Sequence, residues 1–171
     1  MKTLTVLGST GSIGTNTLDI VRRNRHLYQV YALAAGVNVD VLAAQILEFQ
    51  PKIAVVGTSD GVVRLSSKLH ESGLSRAEWP ELLSGDAARV AISVDKNVDT
   101  VISAIVGVAG LEATYEAIRR GKRVGLANKE VLVSGGRLVM EAVRESGALL
   151  VPVDSEHNGA HQCLRAGNRR A

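Results

Sequence analysis

The stretch Leu4-Thr5-Val6-Leu7-Gly8-Ser9-Thr10-Gly11-Ser12-Ile13-Gly14 decides the fold. A short strand-forming run enters a glycine-rich turn, and a helical pattern follows at once. In such a strand–turn–helix, glycine lets the backbone turn tightly and come close to an anion. The helix then aims unpaired N–H groups and the positive end of its dipole at the turn. Gly8, Ser9, Thr10, Gly11 and Ser12 are therefore a candidate cradle for the pyrophosphate of a dinucleotide, with Ser9, Thr10 and Ser12 as hydroxyl donors. The spacing is Gly-x-x-Gly-x-x-Gly rather than Gly-x-Gly-x-x-Gly, so a purely structural turn stays open. No Gly-Lys-Ser/Thr follows, which excludes a P-loop.

Outward from this turn, short apolar runs alternate with helical periods. The pattern predicts strands over 4–7, 30–35, 53–56, 100–106, 123–127 and 149–153. It predicts helices over 12–23, 39–49, 61–69, 111–120 and 138–145. The first helix is expected to bury Ile13, Thr17, Ile20 and Val21. The stretch 71–86, with Gly73, Pro80 and Gly85, reads as a loop with a short strand near Leu82 and Leu83. Repeated strand–helix–strand units imply an α/β fold: a Rossmann-like, doubly wound, mostly parallel sheet. Residues 1–150 form this domain. Residues 151–171 are too few to close a second one, and are expected to begin an incomplete catalytic domain with a helix over 155–164.

Composition agrees. Of 171 residues, 46% are hydrophobic and only 3% aromatic, so the core must be aliphatic, as suits a parallel sheet buried on both faces. The net charge of +3 is accounted for by Arg165, Arg169 and Arg170 near the C-terminus. No basic stripe interleaved with aromatics appears, which argues against a nucleic-acid partner. A single cysteine, Cys163, excludes an intramolecular disulfide or a thiolate metal cluster and fits a reducing cytoplasm. The first strand is expected to start at Lys2, so no signal peptide is expected, and no apolar run reaches membrane-spanning length.

Ligands of open parallel sheets bind outside the carboxyl ends of the strands. The second strand ends in Leu33-Ala34-Ala35-Gly36-Val37-Asn38, with no acid. A carboxylate there would hold the ribose 2′-hydroxyl of NAD and repel a 2′-phosphate, so its absence favours NADP. Two later strands end in Asn128-Lys129-Glu130 and in Asp154-Ser155-Glu156-His157-Asn158. Asp154 and Glu156 offer hard oxygen ligands for a divalent cation such as Mg²⁺ or Mn²⁺. The same residues could cap a helix, and spacing alone leaves both readings open. Lys129 is a possible anion contact or an ordinary surface lysine.

Taken together, Leu7 to Gly14, Ala127-Asn128-Lys129-Glu130 and Pro152-Val153-Asp154-Ser155-Glu156-His157-Asn158 resemble the 1-deoxy-D-xylulose 5-phosphate reductoisomerase family. The resemblance runs through essentially the whole chain in the same order. It implies rearrangement of 1-deoxy-D-xylulose 5-phosphate by retro-aldol cleavage and re-aldolisation, then reduction to 2-C-methyl-D-erythritol 4-phosphate in non-mevalonate isoprenoid synthesis. NADPH and a divalent cation (Mg²⁺, Mn²⁺ or Co²⁺) are the implied cofactors, and fosmidomycin the implied inhibitor.

Carried onto matching positions, the resemblance gives Thr10, Gly11, Ser12, Ile13, Gly36, Asn38, Asn128 and Glu130 to NADPH. It gives Lys129, Ser155 and Glu156 to the phosphosugar substrate, and Asp154 and Glu156 to the metal. Lys129, Asp154 and Glu156 are then the catalytic set. It also implies a homodimer for the full-length protein. Val37 departs from the family, whose members often carry a basic residue there. The third metal ligand, the phosphate-binding residues and the lid are expected beyond Ala171, so the chain alone is expected to be inactive or nearly so. The alternative is a stand-alone nucleotide-binding module without catalysis. A short-chain dehydrogenase is disfavoured, since Tyr115 is followed four places on by Arg119 rather than lysine.

Overall fold

Parallel strands need a crossover after each strand, and this chain supplies a helix for every one. The computed structural model describes residues 1–167. Arg169 and Arg170 of the basic tail, and the end of the 151–171 segment, lie outside the described residues. The strands are Lys2–Leu7 (β1), Tyr28–Ala34 (β2), Ile53–Val56 (β3), Glu81–Ser84 (β4), Thr100–Ser103 (β5), Arg123–Leu126 (β6) and Leu149–Pro152 (β7). The helices are Ser12–Arg23 (α1), Val39–Phe49 (α2), Ser59–Glu71 (α3), Gly85–Val94 (α4), Leu111–Arg119 (α5), Glu130–Ser146 (α6) and Ser155–Ala166 (α7). The strands form one sheet in the order β4-β3-β2-β1-β5-β6-β7, every pairing parallel. The fold is therefore the doubly wound Rossmann-like one, and the sheet is wholly parallel.

Two aliphatic layers sandwich the sheet. On one face, Leu18 and Val21 of α1, Leu42 and Ile46 of α2, and Leu65 and Leu69 of α3 pack on Leu4, Val6, Val30 and Leu33. On the other, Ile92 of α4, Ala117 and Ile118 of α5, and Val131 and Val139 of α6 pack on Leu7, Ala34, Val101 and Val124. Adjacent Val6 and Leu7 are both fully buried because successive strand residues point to opposite faces. Each such side chain stabilises the fold by about 1.5–3 kcal/mol relative to exposure.

The strand expected over 100–106 ends at Ser103, and three helices also differ from the sequence expectation. The α1 face that enters the core is Gly14, Leu18 and Val21, whereas Ile20 is 58% exposed. The close approach of Gly14 to the turn sets the rotation of this helix, and a glycine adds nothing to an apolar count. Helix α4 occupies part of the span between 86 and 100, where the pattern suggested no element; it starts at a glycine with no side-chain cap, and of its residues only Ile92 and Ser93 are fully buried. Helix α6 begins at Glu130 rather than near 138, running through Ser134-Gly135-Gly136, which break the apolar period in sequence.

At the amino ends of the strands, Asp99 ties β1 to the start of β5. Its Oδ2 accepts the Thr3 N–H at 2.8 Å and the Thr3 hydroxyl at 3.1 Å, and Lys2 Nζ lies 3.5 Å from Oδ1. The Thr3 N–H, above all, holds the Asp99 carboxyl below the usual carboxylate range, with the Lys2 charge assisting. A depressed folded pKa stabilises the protein above the unfolded value and loses that contribution as pH falls through the folded one. Asp99→Asn is expected to lower the melting temperature by about 3 °C at pH 7. The gap to the parent should close below about pH 3. A gap that persists unchanged in acid, measured by thermal unfolding across pH, would show that charge at Asp99 is not the cause.

Candidate functional site

In the sheet order, the winding switches sides between β1 and β5 while the strands stay parallel, and the turn after β1 stands at that switch. Gly8 has φ +82°, a conformation that disfavours side chains. A Cβ there would lie 2.4 Å from the Ala104 carbonyl oxygen at the end of β5. The Gly8 and Ser9 N–H groups both donate to the Ala34 carbonyl at the end of β2, at 2.8 and 2.9 Å. A Cβ on Gly14 would meet the Gly8 carbonyl oxygen at 2.3 Å and the Ser9 Cα at 2.6 Å. The turn is thus wedged between two neighbouring strands and its own helix, all through backbone.

This geometry leaves the first turn of α1 facing out. Thr10 and Ile13 are half-buried, and Gly11 and Ser12 are exposed. Ser9 differs from the sequence expectation. It is fully buried and its hydroxyl has no hydrogen-bond partner, so it cannot present that hydroxyl to a ligand at the surface. The turn draws Ser9 under α1 because both flanking glycines close on the chain. Thr10 and Ser12 remain as hydroxyl donors.

A cavity of about 270 Å³ opens beside this helix terminus. It is lined by Gly11, Ser12 and Ile13, by residues 104–106 after β5, by residues 127–130 after β6, and by Asp154 and Glu156 after β7. The three motifs that lie far apart in sequence therefore line one cavity. The contribution of Ala104, Ile105 and Val106 was not anticipated. Their position at the carboxyl end of the strand beside β1 is the signal that could have found them.

Asn128 is buried, and its side chain is spent on the scaffold. Its Nδ2 donates to the carbonyls of Ile105 and Gly107, and its Oδ1 accepts the Glu130 N–H at 2.9 Å. It locks the two loops together, so what it offers the cavity is backbone. Lys129 is exposed and Glu130 half-buried.

Asp154 occupies the N-cap position of α7 but makes no side-chain capping bond. Its carboxylate instead pairs with Nδ1 of His157, a histidine to which the sequence pattern gave no role. Glu156 accepts the Ser155 hydroxyl at 2.8 Å. Its own backbone N–H, then the Ser155 hydroxyl, pull the Glu156 carboxyl below the usual range, with the Lys129 charge adding. Two carboxylates at one cavity suit a hard cation, although among the described residues no group of three or more His, Cys, Asp or Glu side chains could hold a metal.

Gly36, Val37 and Asn38 lie exposed after β2. The Asn38 side chain caps α2 by accepting the Val41 N–H at 3.2 Å, and Gly57 N–H donates to the Gly36 carbonyl at 2.9 Å. The next acid along the chain, Asp40, is paired with Lys68 at 3.0 Å.

Residues 4–136 match the family model for 1-deoxy-D-xylulose 5-phosphate reductoisomerase. The chain belongs to the 1-deoxy-D-xylulose 5-phosphate reductoisomerase family. It is 73% identical over 169 residues to the reductoisomerase of Solibacter usitatus, covering 99% of this chain and 43% of that protein. With the reductoisomerase of Cupriavidus pinatubonensis it shares 50% identity over 170 residues, covering 99% of this chain and 42% of that one. The chain thus spans well under half the length of these relatives. Among solved structures, a reductoisomerase in complex with NADPH, fosmidomycin and magnesium superposes with TM-score 0.87 at 43% identity, covering 95% of this chain and 39% of the other. The Zymomonas mobilis reductoisomerase with NADPH gives 0.85 at 46% identity, covering 95% and 41%.

The glycines of the turn after β1 separate two roles. Gly14→Ala drives a methyl into backbone and is expected to destabilise the chain by about 3 kcal/mol. Gly11 has ordinary φ, and its nearest prospective contact is 3.5 Å away. Gly11→Ala should therefore keep the parent melting temperature while weakening anion binding at the turn. Thermal unfolding of both variants checks this; equal destabilisation would refute it.

Proposed function

We propose that this chain is the NADPH-binding part of an enzyme that converts 1-deoxy-D-xylulose 5-phosphate into 2-C-methyl-D-erythritol 4-phosphate with the help of a divalent cation. The observation that carries this reading is the single cavity shared by the phosphate turn, the Asn128-Lys129-Glu130 loop and the Asp154/Glu156 pair. The family's solved members with NADPH, fosmidomycin and magnesium support it.

The residues divide the work. The free N–H groups at the start of α1, with Thr10, Gly11, Ser12 and Ile13, suit the pyrophosphate of NADPH. Gly36 and Asn38 suit the adenosine ribose end, where no carboxylate repels a 2′-phosphate. The loop of Asn128 and Glu130 would bound the nicotinamide side. When bound, NADPH supplies the hydride and the divalent cation supplies Lewis acidity. Asp154 and Glu156 would hold the cation, and Lys129, Ser155 and Glu156 would orient the substrate oxygens. Lys129 is suited to this because it lines the cavity and its side chain is exposed. Two carboxylates leave a cation shell incomplete, so turnover would need ligands outside residues 1–171. The chain alone would bind cofactor without catalysing. The phosphosugar is the proposed small-molecule partner, and a cytoplasmic homodimer is proposed for the extended protein. Among the described residues no helix is long and apolar enough to cross a membrane.

Two measurements test the proposal. Calorimetric titration of this chain should give a dissociation constant for NADPH at least about tenfold below that for NADH, the equivalent of about 1.4 kcal/mol. Equal affinities would overturn the reading of the segment 33–38. In a protein extended to the length of its relatives, Asp154→Ala should lower kcat by about 10²-fold or more while leaving the NADPH constant within about twofold. A parallel loss of NADPH affinity would instead make Asp154 a structural residue.

A further inference from the structure

Helix α2 turns Val39, Leu42, Ala43 and Ile46 into the core, and with them a glutamine. Gln45 is only 7% exposed. Its Nε2 donates to the Ser9 carbonyl oxygen at 2.8 Å, while its Oε1 has no hydrogen-bond partner. Burying an amide half satisfied costs stability, and a methionine of similar length would pack there without that loss. Core packing therefore does not account for Gln45.

Its bond does fix a peptide plane. The Ser9 N–H is already held by the Ala34 carbonyl at 2.9 Å. Gln45 holds the other end of the residue. Among the described residues it is the one side chain outside α1 that hydrogen-bonds the phosphate turn. The peptide bonds are trans, so the C=O and N–H of one peptide unit point to opposite sides. With the Ser9 carbonyl turned inward to α2, the Thr10 N–H of the same unit is sent outward. No described residue accepts it.

We propose that Gln45 is a positioning residue: by holding the Ser9 carbonyl inward, it aims the Thr10 N–H at a phosphate of the dinucleotide. The inference rests on the NADPH reading above and adds how the turn is tuned for it. A backbone donor fixed before binding loses no freedom on binding, so the anion meets a prearranged dipole.

The test compares two ligands on the full 171-residue chain. NADPH carries the pyrophosphate; adenosine 2′-monophosphate carries the adenosine and its 2′-phosphate but no pyrophosphate. Gln45→Met keeps the length and removes the donor. The expected result is a rise of about tenfold in the NADPH dissociation constant by calorimetry. The constant for adenosine 2′-monophosphate, followed by NMR titration, should stay unchanged. Gln45→Asn keeps the amide but falls one methylene short of Ser9; it should show the same split and carries the test if the methionine variant does not fold. An unchanged NADPH constant would overturn the proposal, as would equal weakening of both ligands, which marks general disruption. Failure of the parent chain itself to bind NADPH would overturn the cofactor reading and this inference together. Binding by the parent with no split in the variants would overturn the inference alone.

Discussion

The turn after β1 passes between two carbonyl groups, and the rest of the site depends on that passage. The Ala34 carbonyl takes the N–H groups of Gly8 and Ser9. The Ala104 carbonyl stands where a side chain at position 8 would go. Because β2 and β5 flank β1 on either side, both carbonyls come from carboxyl ends of strands in register with it. A wholly parallel sheet is what brings those ends together. The helix behind the turn then has one permitted seat, with Gly14 pressed on the Gly8 carbonyl, and its free N–H groups face the open side.

Charge is sorted along the same edge. The start of α1 offers backbone dipoles and hydroxyls, which suit anions. The start of α7 carries Asp154 and Glu156, with Lys129 nearby, and Glu156 is held in its ionised form by hydrogen bonds. Groups suited to an anion and groups suited to a cation therefore line one cavity without being the same groups. Asn128 joins two of the lining loops: its amide N–H groups bond to the loop after β5 while its side-chain oxygen accepts from the start of α6.

Much of the sheet was legible because strand residues such as Val6, Leu33, Val55 and Val124 are apolar in short bounded runs, and burial on both faces leaves no polar alternation to confuse them. The weaker predictions fall where the deciding residue is small or polar. Gly14 sets the rotation of α1, yet apolar periodicity assigned that face partly to Ile20. Ile20 instead lines an open groove with Leu4, Ile102 and Leu149. Gly135 and Gly136 hide the first half of α6. Helix α4 offers two fully buried positions, too few to mark a period. In the site, Ser9 and Asn128 read as ligand contacts because both are polar and lie in the right motifs. Their side chains turn inward, and nothing local to either motif records that.

The sequence by itself determined the parallel α/β architecture, the glycine-rich turn and the residues gathered at the strand ends, because each is written in local patterns of apolar period, glycine and polar residue type. Only the tertiary structure decided which of those residues face the cavity, that Asp154 pairs with His157 rather than capping α7 through its side chain, and that Gln45 reaches Ser9 across 36 positions. These depend on how helices seat on the sheet. That seating is fixed by close backbone contacts between segments distant in sequence, which no single stretch of the chain encodes.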